Sequence, residues 1–420
     1  MLSLIKFPPK DSYSTICKRP QLESKSLDHL IEEIFEIVEN RKDEGLRDLT
    51  LKFDNRTIDS IIYSKREIDE LAKGVSTELQ LAIEKAYANI SKFHTSQILE
   101  EKRIETSPGV TCWQKATPIE KVGIYIPGGT APLFSTILML AIPAKIAGCK
   151  QIILCTPAQH PAIFFAAKLC GVTQICKVGG AQAIAAMALG TESIPAVYKI
   201  FGPGNQYVTA AKMFANSKGV AIDMPAGPSE VAIYADEYAI PAYIASDLLS
   251  QAEHGIDSQV FLVSNNEETL NSTNKELEKQ LIQLDRKEFA NKSLLNSKSI
   301  LVNNREEAID LLNEYGAEHL ILACENAEEF SDHIINAGSI FLGNYTPEAA
   351  GDYSSGTNHT LPTNGFAKAY SGVNLDSFIK KITLQSITRE GLENLSSSIV
   401  EMAKAESLDA HANAVLIRLQ

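Results

Sequence analysis

The sequence predicts an α/β fold: two parallel-sheet units with a cleft between them, and helical extensions at both ends. Three observations carry this. Short apolar runs alternate with Ala-rich helical segments from Val122 onward, and a second series of apolar runs follows from Val231. The first hundred residues and those after about Leu375 show helical spacing instead. A chain of 420 residues also exceeds the size at which one hydrophobic core stops growing, so more than one domain is expected.

Taken in order, the apolar set Leu27, Leu30, Ile31, Ile34, Phe35 and Val38 predicts an amphipathic helix from about Ser26 to Glu44, with Gly45 as its stop. A second helical stretch runs from about Arg66 to Gln97 and is interrupted near Gly74. Strands are predicted at 122–126, 151–155, 196–201 and 220–222, with helices around 131–147, 160–170, 181–189 and 206–216. Such alternation places helices on the faces of a parallel sheet. The second series has strands at 231–234, 260–263, 299–302, 320–322 and 339–342. Beyond Tyr345 the chain becomes a polar loop that includes Gly351-Asp-Tyr-Ser-Ser-Gly-Thr-Asn-His-Thr-Leu-Pro362, a length that points to function or disorder. Helical spacing returns in the tail, with Leu392, Leu395, Ile399 and Met402 on one face.

These breaks divide the chain into an N-terminal extension (1–25), a discontinuous first α/β domain (26–120 with 231–374), an inserted Rossmann-like domain (121–230) and a helical C-terminal tail (375–420).

The composition fits a soluble enzyme. Lys and Arg number 39 against 52 Asp and Glu, a formal charge of −13 that disfavours a nucleic-acid-binding face. No apolar run reaches the length of a membrane span, and the opening apolar run, broken by Pro8, is too short for a signal peptide. Seven cysteines include no C-x-x-C pair and leave one unmatched, so reduced thiols in a cytoplasm are expected.

Candidate chemistry gathers in a few places. In Ser250-Gln251-Ala252-Glu253-His254-Gly255, a helix end, Gln251 and His254 are three apart and share a face, as joint ligands of a metal or polar group would; a capping His beside a solvated Gln is the plain alternative. Glu318 and His319 open a predicted strand, and both can face one cleft only if the strand has not yet begun there; a Glu-His dipeptide is otherwise a surface feature. Asp352 and His359 lie in the long loop, Glu406 and His411 in the terminal segment. His29, His94, His160 and His333 are read as structural. Ile126-Pro-Gly-Gly-Thr130, Val178-Gly-Gly-Ala-Gln182 and Gly202-Pro-Gly-Asn205 each stand between a strand and a helix, where backbone amides can meet a phosphate or merely make a tight turn. None is the G-x-G-x-x-G fingerprint.

Together these segments resemble the histidinol dehydrogenase family from about residue 20 to the end. The specific stretch is Ile222-Asp-Met-Pro-Ala-Gly-Pro-Ser-Glu230, followed by Ser250-Gln-Ala-Glu-His-Gly255. Tyr125-Ile-Pro-Gly-Gly129, Gly202-Pro-Gly-Asn205, Ala317-Glu-His-Leu320 and Gly351-Asp-Tyr353 accompany it in order.

The resemblance implies an NAD-dependent alcohol and aldehyde dehydrogenase that takes L-histidinol through its aldehyde to L-histidine. It further implies one zinc ion per subunit held by Gln251, His254, Asp352 and His411, and an acid-base pair formed by Glu318 and His319. NAD contacts fall on Tyr125, Gln182 and Asn205. Substrate contacts fall on Ser229, His359 and Glu406 along with His319 and the metal ligands. It implies a homodimer in which Glu406 and His411 reach the neighbouring site. A relative that oxidises another small alcohol, such as a sulfonated diol, and a non-catalytic zinc-binding or ligand-sensing protein are the competing readings; the intact Glu318-His319 pair speaks against the second.

Overall fold

The computed structural model describes residues 2–19, 27–129, 131–225 and 227–420. Ser26, the expected start of the first long helix, and Thr130 and Ala226, members of two glycine-bearing motifs, lie outside the described residues, as do Met1 and 20–25 of the N-terminal extension.

Two parallel sheets form the body. The larger has six strands in the spatial order Ser3–Lys6, Lys298–Leu301, Gln259–Ser264, Glu230–Ala235, Ala317–Ala323, Ala337–Leu342. Its three central strands are buried at every position, as a sheet covered on both faces requires. The smaller has five strands, ordered Gln174–Cys176, Gln151–Cys155, Lys121–Tyr125, Lys199–Phe201, Ala221–Ile222. The alternation read from the sequence is therefore real, and the fold is two Rossmann-like sheets with helices around them. Among the described residues no helix is long and apolar enough to cross a membrane. All seven cysteines are free.

Several expectations need correction. The first long helix does not stop at Gly45: it runs over Leu27–Asp54 and kinks at Lys42, whose φ is 47°. Gly45 serves the kink, since a Cβ there would lie 2.9 Å from the carbonyl oxygen of Ile37. This helix packs on the helices Gly180–Leu189 and Gln206–Ser217, while the helices Lys65–Ala72 and Thr77–Thr95 pack on Pro161–Cys170 and Phe134–Ala147. Residues 27–95 thus cover the five-stranded sheet, whereas the sequence grouped 26–120 with 231–374; their apolar faces are matched by the Ala-rich helices of that unit.

The N-terminal extension supplies an edge strand, Ser3–Lys6, paired in parallel with Lys298–Leu301. The tail is not all helix, because Ile379–Ile387 pairs antiparallel with Val110–Pro118, which also pairs with Arg103–Ser107. Its β-branched Ile379, Ile382, Thr383 and Ile387 favour the extended form. The long polar loop contains a short helix, Glu348–Tyr353.

Candidate active site

A cavity of about 1060 Å³ runs between the two sheets, lined by the 202–205 loop, Ser229, His254, Glu318 and His359 among others. Ligands of open α/β sheets bind beyond the carboxyl ends of the strands, and Tyr125 stands there on the smaller sheet. Its hydroxyl accepts from the Gly180 N–H at 3.0 Å, at the start of the helix that carries Gln182. Burial pushes the Tyr125 phenol up to about 12. Gly202 comes so close that a Cβ would sit 2.1 Å from the Tyr125 carbonyl oxygen, so only glycine permits this approach. Asn205 caps the next helix, its oxygen accepting from the Tyr207 and Val208 N–H groups at 3.1 and 3.2 Å. The side-chain oxygen is thus engaged in the cap, and the residue also lines the cavity.

On the larger sheet, Glu318 and His319 lie within the strand Ala317–Ala323, not ahead of it, and both are buried. They nevertheless come together, His319 Nδ1 standing 3.7 Å from Glu318 Oε2, and both touch the main chain of Glu230 on the adjacent strand. The second carboxylate near the ring belongs to Glu348, with Oε1 at 3.9 Å from Nδ1, and the third to Asp352, with Oδ1 at 3.4 Å from Nε2. Burial raises Glu318 to about 8. For His319, burial works downward, but the carboxylates, Glu348 foremost, outweigh it and lift the ring to about 10. Burial raises Glu348 well above the carboxylate range. Burial would raise Asp352 too, but His319 overcomes it and holds that carboxyl low.

Glu348 is the functional residue that the sequence reading missed. It begins the helix Glu348–Tyr353 four residues before Asp352, so the two carboxylates share a face, and that spacing after Pro347 was the available signal. Gln251, buried at the end of the helix Pro241–Ala252, sets its side-chain amide between Glu348 and the Glu230 N–H; with the nitrogen turned toward Glu348 it would donate to that carboxylate and share the Glu230 N–H, at 2.9 Å from its oxygen, with Glu318. His254 follows on the cleft wall. His359 Nδ1 lies 2.8 Å from the Asp352 carbonyl oxygen, which can only accept, so Nδ1 carries the proton and Nε2 takes the Thr136 hydroxyl at 3.0 Å. The ring therefore braces the Asp352 main chain against the other lobe.

The donor set fits a divalent cation. Ligand atoms of His254, Glu348 and Asp352 all lie within 4.8 Å of one another, and three carboxylates, those of Glu318, Glu348 and Asp352, crowd around His319. His319 Nε2 is buried and, although Asp352 Oδ1 stands 3.4 Å away, makes no well-formed hydrogen bond among the described residues. Nitrogen and oxygen donors without thiolate suit zinc better than copper(I) or an iron-sulfur cluster. Glu406 and His411 are not part of this cluster: Glu406, in the turn after the helix Arg389–Ala405, and His411, on the helix Asp409–Leu419, are both exposed and outside the cavity lining.

A family model described as histidinol dehydrogenase matches residues 17–419. The chain is 55% identical over 424 residues to the histidinol dehydrogenase of Bacteroides thetaiotaomicron, covering 100% of this chain and 99% of that protein. It is 56% identical to that of Bacteroides fragilis strain YCH46, with the same coverage. A crystal structure of histidinol dehydrogenase from Elizabethkingia anophelis superposes with a TM-score of 0.98 at 52% identity, covering 100% of this chain and 98% of that one.

Proposed function

The chain belongs to the histidinol dehydrogenase family, and from that premise we propose that it oxidises L-histidinol to L-histidine in two successive hydride transfers to NAD. The observation that carries this is the buried Glu318-His319 pair at the end of a cleft shared by two Rossmann-like sheets. Gln251, His254 and Asp352 would hold zinc, with Glu348 beside them and His411 completing the set from a second subunit. When bound, the ion supplies positive charge that orients the imidazole and amino nitrogens of the substrate and offsets the carboxylates.

With the ion offsetting the carboxylates that hold its ring charged, His319 would be neutral and would take the hydroxyl proton as hydride leaves the carbinol carbon for NAD. The aldehyde stays in the cleft. Glu318, whose proton affinity burial brings close to neutrality, takes a proton from the water that adds to the aldehyde, while His319 returns its proton to the former carbonyl oxygen and is free for the second half-reaction. The hydrate then loses its second hydride, and His319 again receives the proton. Tyr125, Gln182 and Asn205 would form the cofactor end beside the smaller sheet, Asn205 lining the cavity and Tyr125 and Gln182 buried behind it; Ser229, His359 and a partner's Glu406 would orient the substrate. A reducing cytoplasm is in keeping with seven unpaired thiols.

The reading is tested by NADH absorbance against histidinol consumed. Two NADH per histidinol are expected. One NADH with free aldehyde released would show that the second oxidation does not occur here. Glu318→Gln should impair histidinal oxidation more than histidinol oxidation, since only the former needs an activated water.

A further inference from the structure

The main chain of Glu230 touches both members of the acid-base pair. Its N–H donates to Glu318 Oε2 at 2.9 Å, and its carbonyl oxygen lies 3.4 Å from His319 Nδ1. Its strand pairs with theirs, Val231 standing opposite His319, and Ser229 directly precedes it. Any shift of Glu230 is therefore felt at three site residues together.

The Glu230 side chain is buried, where an unpaired carboxylate is strongly disfavoured. Arg19 meets it with two parallel contacts, Nε to Oε2 at 2.6 Å and Nη2 to Oε1 at 2.7 Å. The guanidinium is itself fixed. Nη2 also donates to the Tyr315 carbonyl at 2.7 Å, Nη1 donates to that of Cys17 at 3.4 Å, and the group lies 4.0 Å over the Tyr315 ring. Tyr315 ends the helix that leads, through Gly316, into the strand carrying Glu318. Arg19 thus holds the entries of two adjacent strands: one through the Glu230 carboxylate, the other through the Tyr315 carbonyl.

We propose that Arg19 and Glu230 are positioning residues for the acid-base pair. The guanidinium locks the starts of the strands Glu230–Ala235 and Ala317–Ala323 in the setting in which the Glu230 main chain grips Glu318 and His319. An arginine is needed because three of its contacts use a planar fork; lysine brings the charge without that geometry. This rests on Glu318 and His319 being the acid-base pair of the reaction above.

The test is R19K in the full-length enzyme, alone and combined with E318Q, with histidinol and histidinal oxidation measured separately. R19K should lower kcat for histidinal about 10-fold or more through misplacement of Glu318, while KM for NAD changes by less than about twofold. In the E318Q background R19K should lower histidinal oxidation by clearly less than it does with Glu318 intact, because the part of its effect that acts through Glu318 is already lost. E230Q should behave like R19K and carries the test if the lysine chain does not fold. Equal losses in every parameter, or full additivity with E318Q, would overturn the clamp and leave Arg19 a general stabiliser. E318Q alone checks the premise. If it spares histidinal oxidation, the reading of the pair fails whatever R19K does; if it behaves as expected and R19K is additive, only the clamp fails.

Discussion

Glu318 and Glu348 each come within 4 Å of the His319 imidazole, all three buried between two strands and a short helix, whereas Glu406 and His411, assigned by resemblance to the same site, stand exposed at the far end of the chain, one in the turn between the last two helices and the other on the last helix. The cleft belongs to sheets with extensive cores. The tail helices Arg389–Ala405 and Asp409–Leu419 pack mainly on each other, over a small cluster of Val400, Ala403, Ala412 and Val415. The cleft groups are thus prearranged by the monomer, whereas Glu406 and His411 sit on an appendage whose exposed Met402, Leu408, Leu416 and Ile417 lack cover in the single chain. On the shared-site reading, a second subunit provides it. The contrast separates damage to the cleft, which no partner can repair, from damage to the tail, which a partner can.

The largest effect should follow from removing a cleft ligand. His254→Asn should lose bound zinc and lower kcat about 100-fold or more, with far-UV circular dichroism unchanged. Chelation should likewise stop turnover and leave the fold intact, because the apolar cores of both sheets do not depend on the ion. Collapse of secondary structure on chelation would make the cation structural and break the comparison at its first term. His94→Asn is the control outside the ligand set. Its buried ring contacts the Ile90 carbonyl at 2.9 Å and Asn358 at 3.4 Å, so the protein should lose about 2 kcal/mol of stability while keeping its zinc.

Mixing two defective chains gives the next largest effect. A His411→Asn chain has a sound cleft and a defective tail, and a Glu318→Gln chain the reverse. Each homodimer should be nearly inactive. In a mixed dimer with shared sites, one cleft joins the sound Glu318 of one chain to the sound tail of the other. Co-refolding equal amounts should restore about a quarter of wild-type activity, since random pairing makes about half of the dimers mixed, each with one sound site. If mixed dimers form and activity stays at the homodimer level, each tail serves its own cleft.

The same contrast explains what could be read from the sequence. Gln251 and His254, three apart across the end of a helix, and the adjacent Glu318 and His319 announce themselves by local spacing. The alternating apolar runs likewise place most strands of both sheets, because a strand buried on both faces leaves an apolar block. Arg19 does not announce itself: its partner lies 211 residues away, and nothing around it distinguishes it from any surface arginine. Ser3–Lys6 was invisible because four residues at a sheet edge, mostly exposed, carry no periodicity. Ile379–Ile387 was hidden by its own exposure, since its partner strand satisfies the main chain while the side chains face solvent. Whether a residue serves its own subunit or a neighbour is a fact of assembly, and spacing along one chain does not encode it.

The smallest effect sharpens the comparison by placing two ion pairs side by side. Arg19 and Glu230 are buried, with side-chain exposures of 12% and 2%, while Arg389 and Glu393 on the tail stand at 60% and 52%. The exposed pair is separated by one helical turn with the arginine first, the weaker of the two orders, and Arg389 sits at a helix start where its charge opposes the macrodipole. Arg389 keeps another partner, since its Nη2 donates to the Leu419 carbonyl at 3.1 Å, and that contact survives loss of the carboxylate. Water and salt screen what remains. Glu393→Gln should therefore change stability by less than about 0.5 kcal/mol and leave the mixing experiment unaltered. Thermal melts at low and high salt are the measurement. A loss above about 1 kcal/mol that persists in high salt would mean that the pair is desolvated in the assembled protein, placing this face of the tail inside the subunit interface.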